Sequence, residues 1–70
     1  MRNGLIELRK KAKMSRFQLA IKLNVTPQSI YNWEKGISDP TAKSIYDMAK
    51  LFGISTDDIF LALSTTKVVK

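Results

Sequence analysis

Apolar residues recur at helical spacing through most of the 70-residue sequence, in short runs that turn-forming residues separate. This spacing predicts an all-α fold, a compact domain of five short helices. The predicted helices cover residues 4 to about 11 or 12, 16–23, 27–35, 40–52 and 56 to about 61. We expect a single domain over residues 1–63, followed in residues 64–70 by a tail that is either flexible or associated with a dimer.

Capping residues mark where these helices begin. Ser15 and Thr26 precede the second and third helices, where a side-chain oxygen can accept from the free backbone N–H groups. Pro27 takes the first position of the third helix, where its missing N–H has no cost. Asp39 is the expected cap of the fourth helix, which we expect Pro40 to open. Asn3 and Ser55 are the corresponding caps of the first and fifth helices.

Three aromatic residues, Trp33, Phe52 and Phe60, are expected to belong to the core. A surface that binds single-stranded nucleic acid would interleave such rings with basic residues, but no basic residues are interleaved with these three. Ile59 and Phe60 are both expected to point inward from the fifth helix. The predicted apolar stripes of the first and fourth helices also include Ala12 and Ala42.

The net charge of +6 lies entirely on the first half of the chain. Residues 1–35 hold eight lysines and arginines against two acids, whereas residues 36–70 hold four lysines against four aspartates. Such a basic asymmetry suits a polyanionic partner. Charge alone leaves a solvated lysine-rich face as an equal alternative.

The side-chain inventory argues against catalysis. The chain has no cysteine and no histidine, which removes thiolate and imidazole metal ligands and the usual nucleophile–base pairs. Asp57 and Asp58 fall in the first turn of the fifth helix, where the helix dipole favours acids, so we interpret them as capping charges. We therefore expect no enzymatic activity, no cofactor and no metal site. No run is apolar enough for a signal peptide or a membrane span, so we expect a soluble, cytoplasmic protein.

The stretch 15–36 predicts two helices joined by a tight turn, and the second of them has an unusually polar surface. Ile30 and Trp33 give this helix a buried stripe. Its other faces carry amide, hydroxyl and cationic groups: Gln28, Ser29, Tyr31, Asn32 and Lys35. Groups of these kinds hydrogen-bond base edges and phosphates.

Several motifs occur together at a specific spacing: L-R-K-K-A-K-M-S at 8–15, Q-L-A at 18–20, K-L-N-V-T at 22–26, S-I-Y-N-W-E-K-G at 29–36, P at 40 and M-A-K-L-F-G-I-S at 48–55. In these residues the chain resembles the lambda-repressor-like, Cro-type helix-turn-helix domains, often called the Xre family, over roughly residues 3–61. The resemblance implies a sequence-specific DNA-binding transcriptional regulator. It further implies a repressor that binds a palindromic operator as a homodimer, with its third helix in the major groove.

The resemblance also implies roles for individual residues. Base reading falls to Pro27, Gln28, Ser29 and Asn32, and phosphate binding is expected of Arg16, Thr26, Tyr31, Lys35 and Lys43. The alternatives are a phosphate contact for Ser29 and Asn32, packing on the helix flank for Tyr31, and ordinary solvated side chains for Lys35 and Lys43. Arg16 stands where the family usually has Gln, and Pro27 can offer only shape or contact with a thymine methyl group. Direct readout therefore depends chiefly on Gln28, for which adenine is the best bidentate partner. Arg9 and Glu34 occupy the positions of a buried ion pair in related domains, so we interpret both as fold elements.

Two apolar features lack an explanation within one protomer. Phe17 and Ile21 lie four residues apart on the second helix, where the family usually carries polar residues. Phe60, Leu61 and Leu63 lie in and just after the fifth helix, and our hypothesis is that they form the seam of a homodimer. The alternative to a DNA-binding regulator is a protein-interaction module, antitoxin-like or cofactor-binding, with DNA binding secondary. Phe17 and Ile21 would then hold the protein partner.

Overall fold

The computed structural model describes residues 3–64, which fold into five α-helices. These are α1 (Asn3–Lys11), α2 (Arg16–Leu23), α3 (Pro27–Lys35), α4 (Ala42–Phe52) and α5 (Thr56–Ser64). The predicted all-α fold is therefore confirmed. Of the predicted tail, Ser64 belongs to α5 and the remaining residues lie outside the described part of the chain.

The caps of α2 and α3 are those that the sequence predicts. The Ser15 hydroxyl accepts from the Gln18 backbone N–H at 3.1 Å, and the Gln18 side chain accepts in return from the Ser15 N–H at 2.8 Å. The Thr26 hydroxyl accepts from the Ser29 backbone N–H at 3.1 Å. Asn24 ends α2 in the left-handed conformation, with φ 58° and ψ 44°. This geometry fixes the sharp turn between the two helices.

Three predicted helix ends are wrong by a few residues. The fourth helix begins at Ala42 and its cap is Thr41, whose hydroxyl accepts from the Ser44 N–H at 3.2 Å. Pro40 therefore precedes the cap, in a buried position, and Asp39 does not cap the helix. The fifth helix continues to Ser64, three residues beyond the predicted end, and the first includes Asn3, its predicted cap.

The core fills the space between the helices with aliphatic side chains from every one of them. Leu5, Leu19, Ile30, Met48 and Ile59 are fully buried. At the α1–α5 contact Gly4 leaves no room for a side chain, because a Cβ there would lie 2.8 Å from both the Cα and the carbonyl oxygen of Ala62. Here glycine sets the separation between the two helices.

Phe60 is not a core residue, contrary to the prediction: its relative exposure is 53%. The reason is the turn of about 100° per residue in an α-helix, which carries Phe60 away from the buried face that Ile59 and Ala62 form. Ala12 and Ala42 are exposed as well, since one follows the end of α1 and the other opens α4. Phe52 and Trp33 pack in or against the core as expected.

Candidate nucleic-acid interface

Helix α3 is fixed on one side and open on the other. Ile30, Trp33 and Glu34 are its buried residues. At its start the turn is closed by the Val25 N–H, which donates to the Ala20 carbonyl at 2.9 Å. The opposite faces of α3 lie on the surface and carry the residues predicted to read bases.

Glu34 joins α3 to two other parts of the molecule. It is fully buried, and its two carboxylate oxygens accept from Arg9 Nε at 2.6 Å and from Arg16 Nε at 2.8 Å. Arg9 Nη1 also donates to the Met14 carbonyl at 3.0 Å. The predicted Arg9–Glu34 pair is confirmed. The Arg16 contact was missed, although a buried carboxylate needs donors for both oxygens, which is the signal that could have found it.

Three of the predicted phosphate-binding residues lie together. The Arg16 guanidinium carbon is 5.3 Å from the centre of the Tyr31 ring, and Lys35 Nζ is 5.6 Å from the same centre. Both distances are within the range of a cation–π contact. The Arg16 side chain remains 41% exposed, so the Glu34 bond orients this cation without removing it from the surface.

Three base-reading candidates, Gln28, Ser29 and Asn32, take part in side-chain pairs on α3. Gln28 Nε2 donates to Asn32 Oδ1 at 3.0 Å, and the hydroxyl oxygens of Thr26 and Ser29 are 3.0 Å apart. After this bond the Gln28 amide retains one N–H donor and its Oε1 acceptor. These are the two groups that match N7 and the N6 amino group of adenine.

An open cleft of about 540 Å³ brings these sets of residues to one surface. We call it the α2–α3 cleft; it is lined by Arg9, Ser15, Arg16, Phe17, Pro27, Gln28 and Tyr31. The structure thus places two predicted base-reading residues beside two predicted phosphate-binding residues. An amide, a cation and an aromatic hydroxyl on one open surface can accept a nucleotide, with hydrogen bonds to its base and its phosphate.

Lys43 lies elsewhere. Its ammonium group donates to Asp47 Oδ2 at 2.9 Å, an i,i+4 pair on the surface of α4. It lines a separate hollow between α2 and α4, together with Lys22 and Lys50. The structure therefore does not bring Lys43 to the α2–α3 cleft.

The predicted interface residues differ in exposure. Phe17 and Ile21 are each 62% exposed, and Leu61 is 64% exposed. Leu63 is partly buried and packs against the core. Phe60 and Leu61 therefore present more apolar surface than Leu63 does.

Comparison with known proteins agrees with this geometry. A helix-turn-helix family model matches residues 5–59, which include all of α2 and α3. The chain belongs to this helix-turn-helix family. The resemblance to lambda-repressor-like domains is confirmed, and membership identifies the chain as a DNA-binding domain of the transcription-regulator class.

Three curated archaeal proteins are similar over most of their length. An uncharacterised HTH-type transcriptional regulator of Methanocaldococcus jannaschii is 39% identical over 61 residues, which are 87% of this chain and 92% of the relative. Two uncharacterised HTH-type transcriptional regulators of Archaeoglobus fulgidus are 34% and 33% identical over 87% of this chain, and 86% and 87% of their own lengths are covered. No solved structure matches the chain significantly.

Two further properties concern residues 3–64 alone. No helix in this part of the chain is long and apolar enough to cross a membrane. Within the same range, no group of three or more acidic side chains is arranged to hold a metal ion.

Proposed function

We propose that the protein regulates transcription, as a repressor, by binding operator DNA sequence-specifically with α3 in the major groove. The observation that carries the proposal is the α2–α3 cleft, where Gln28 of α3 lies beside Arg16 of α2 and Tyr31. The names of the three archaeal relatives, all HTH-type transcriptional regulators, support the same class of function.

Specificity would come from the start of α3. Gln28 would pair with adenine through the N–H and the oxygen that remain after its bond to Asn32. Ser29 would contact a base or a phosphate through its hydroxyl, and Pro27 would contribute shape or a thymine-methyl contact. Asn32 would read a base directly, or act through Gln28 by holding its amide plane.

Affinity would come from phosphate contacts around the same cleft. Arg16 donates to Glu34 through Nε. Its two terminal amino groups are therefore available to bind a phosphate in a bidentate manner, as guanidinium groups often do. Tyr31 and Lys35 lie next to Arg16, and Thr26, the N-cap of α3, would add a phosphate contact from its hydroxyl. Lys43 remains a phosphate candidate on a separate surface, where a phosphate would compete with Asp47 for the Lys43 ammonium group.

A homodimer would present two copies of α3 to one DNA duplex. Phe60 and Leu61, 53% and 64% exposed on α5, support a seam at this helix, with Leu63 beneath it. Two copies related by a two-fold axis would read a palindromic operator whose half-site centres lie about 34–36 Å apart, one helical turn.

Selection of bound sequences from a random duplex pool, at physiological salt, tests the proposal. The expected result is an enriched palindromic motif with half-sites about one helical turn apart. If sequencing returns no enriched motif, sequence-specific binding by this chain is contradicted. A single enriched half-site would contradict the homodimer while retaining specific binding.

The second candidate function is a protein-interaction module that binds DNA secondarily. The exposure of Phe17 and Ile21, on one face of α2, is the observation that favours it. Purification of the tagged protein from its own cells distinguishes the two functions. A partner recovered in a one-to-one amount, together with a failed DNA selection, would favour this module over the regulator.

A further inference from the structure

Phe17 is a large apolar side chain on the surface of a basic helix-turn-helix unit. It is the second residue of α2 and follows the cap Ser15 and the first helical residue, Arg16. Its exposure of 62% equals that of Ile21, one turn further along the same helix. The core does not explain either residue, because Leu19, Ala20 and Leu23 form the buried face of α2.

The surroundings of the two residues differ. Phe17 lines the α2–α3 cleft, with Pro27, Gln28 and Arg16, whereas Ile21 does not. The cleft therefore combines one amide, a guanidinium group and two apolar side chains on one open surface. A nucleotide has the matching groups: a base edge, a phosphate and a carbon surface between them.

We propose that Phe17 is an apolar DNA contact of the α2–α3 cleft, which packs on the carbon surface of a nucleotide whose phosphate Arg16 binds. This inference rests on the proposed function and adds a residue to its interface. The carbon surface has two possible sources, the 5-methyl group of thymine and the carbons of deoxyribose. Both offer the same chemistry to an aromatic ring.

Two consequences separate an apolar contact from a charged one. Partial burial of the Phe17 ring against DNA should strengthen binding by roughly fivefold to thirtyfold, from the transfer energy of apolar surface. The contact neutralises no phosphate and releases no counterion, so it should leave the dependence of affinity on salt unchanged.

The test compares wild type, Phe17→Ala and Ile21→Ala on the duplex that the wild-type protein selects from a random pool. Ile21→Ala is the matched control, since Ile21 has the same exposure and lies on the same helix but outside the cleft. We expect Phe17→Ala to lose roughly fivefold to thirtyfold in affinity, with an unchanged salt slope, and Ile21→Ala to bind as wild type. Phe17→Leu, which keeps an apolar side chain, should retain most of the affinity.

A second arm identifies the source of the carbon surface. Each thymine of the selected duplex is replaced in turn by uracil, which removes only the 5-methyl group. One position where the replacement weakens wild type but not Phe17→Ala assigns the contact to that methyl group. If each replacement changes the affinity of wild type and of Phe17→Ala by the same factor, and Phe17→Ala still binds more weakly than wild type, the contact is assigned to deoxyribose.

The possible failures are distinguishable. If wild type selects no motif, the proposed function fails and this inference fails with it. If wild type is specific and Phe17→Ala binds as tightly as wild type, this inference alone is overturned. Equal losses in Phe17→Ala and Ile21→Ala would also overturn it, because the whole α2 face would then be involved rather than the cleft. Thermal unfolding of each variant confirms that the losses are not due to misfolding.

Discussion

Arg16 and Glu34 join the start of α2 to α3 through a bond of 2.8 Å between Arg16 Nε and Glu34 Oε1. Glu34 is fully buried while the Arg16 side chain is 41% exposed. The bond therefore connects the core to the proposed DNA surface. It fixes the direction of the Arg16 guanidinium, which a phosphate contact would otherwise have to order at an entropic cost.

Glu34→Gln should strongly destabilise the fold. The substitution removes the negative charge that balances the buried Arg9 guanidinium, and loss of one partner of a buried pair costs about 3–5 kcal/mol. Arg16→Ala is the comparison: it leaves one buried oxygen of Glu34 without its donor but keeps the Arg9 pair, and should cost about 1–3 kcal/mol. Urea unfolding, followed by the fluorescence of the single, buried Trp33, measures both. Equal losses in the two variants would contradict this ranking.

Gly4→Ala should destabilise the α1–α5 contact. The new Cβ would lie 2.8 Å from Ala62 backbone atoms, and overpacking of this kind costs about 1–3 kcal/mol. The higher helix propensity of alanine offsets up to about 1 kcal/mol of that cost. The same urea measurement should show a net loss of about 1–2 kcal/mol. Lys10→Ala, an exposed change on the same helix, should be nearly neutral. A Gly4→Ala protein as stable as that control would show that α1 and α5 can move apart without loss of stability.

Gln28→Ala should weaken binding to the selected duplex by about 1–3 kcal/mol and relax preference at one base pair. Asn32→Ala should cost less, and the double variant should show a coupling energy of about 0.5 kcal/mol or more, because Asn32 Oδ1 holds the Gln28 amide at 3.0 Å. Titrations of wild type and the three variants against the selected duplex and a random one give the eight affinities needed. Equal losses on both duplexes would rule out base reading by Gln28, and additive effects would rule out the orienting role of Asn32.

Arg16→Ala and Lys35→Ala should each make binding less sensitive to salt. Each neutralised phosphate contributes about −0.9 to the slope of log affinity against log salt concentration. Each substitution should therefore reduce the magnitude of the slope by about 0.9, whereas Gln28→Ala should leave it unchanged. Lys10→Ala is the charge-matched control, since Lys10 is exposed on α1 and does not line the cleft. A reduction as large in Lys10→Ala would mean that general charge, rather than placement, determines the slope.

Phe60→Lys combined with Leu61→Lys should give a folded monomer. Both side chains are more than half exposed, so the two charges should cost the protomer little, but they would be buried without partners in a seam at α5. Sedimentation of the double variant beside wild type measures the change in mass. A wild-type dimer that survives both substitutions would place the seam on another surface.

Local signals explain what the sequence could predict. Ser15 and Thr26 act on backbone groups within a few residues of themselves, and each caps the helix start predicted for it. Ser15, through its capping box, and Thr26, through its bond to Ser29, need no distant partner to act. The arrangement of α2 and α3 was predictable for the same reason.

Features that depend on distant packing were missed. The run 59–63 is apolar at every position, so periodicity cannot say which side of α5 faces inward, and Phe60 was placed wrongly. Gly4 needs its partner Ala62 on another helix to explain it. The Arg16–Glu34 bond joins residues 18 apart and appears only after folding. The cleft position of Phe17 has the same tertiary origin.

The most direct test of the account is the ratio of two dissociation constants of the wild-type protein. One is measured on the duplex enriched from the random pool, the other on a scrambled duplex of the same length and composition, at the same physiological salt. If α3 reads bases, the selected duplex binds at least about a thousandfold more tightly, the lower end of the range for specific regulators. A ratio near one would contradict the proposed function, because α3 would then contribute charge but no base readout.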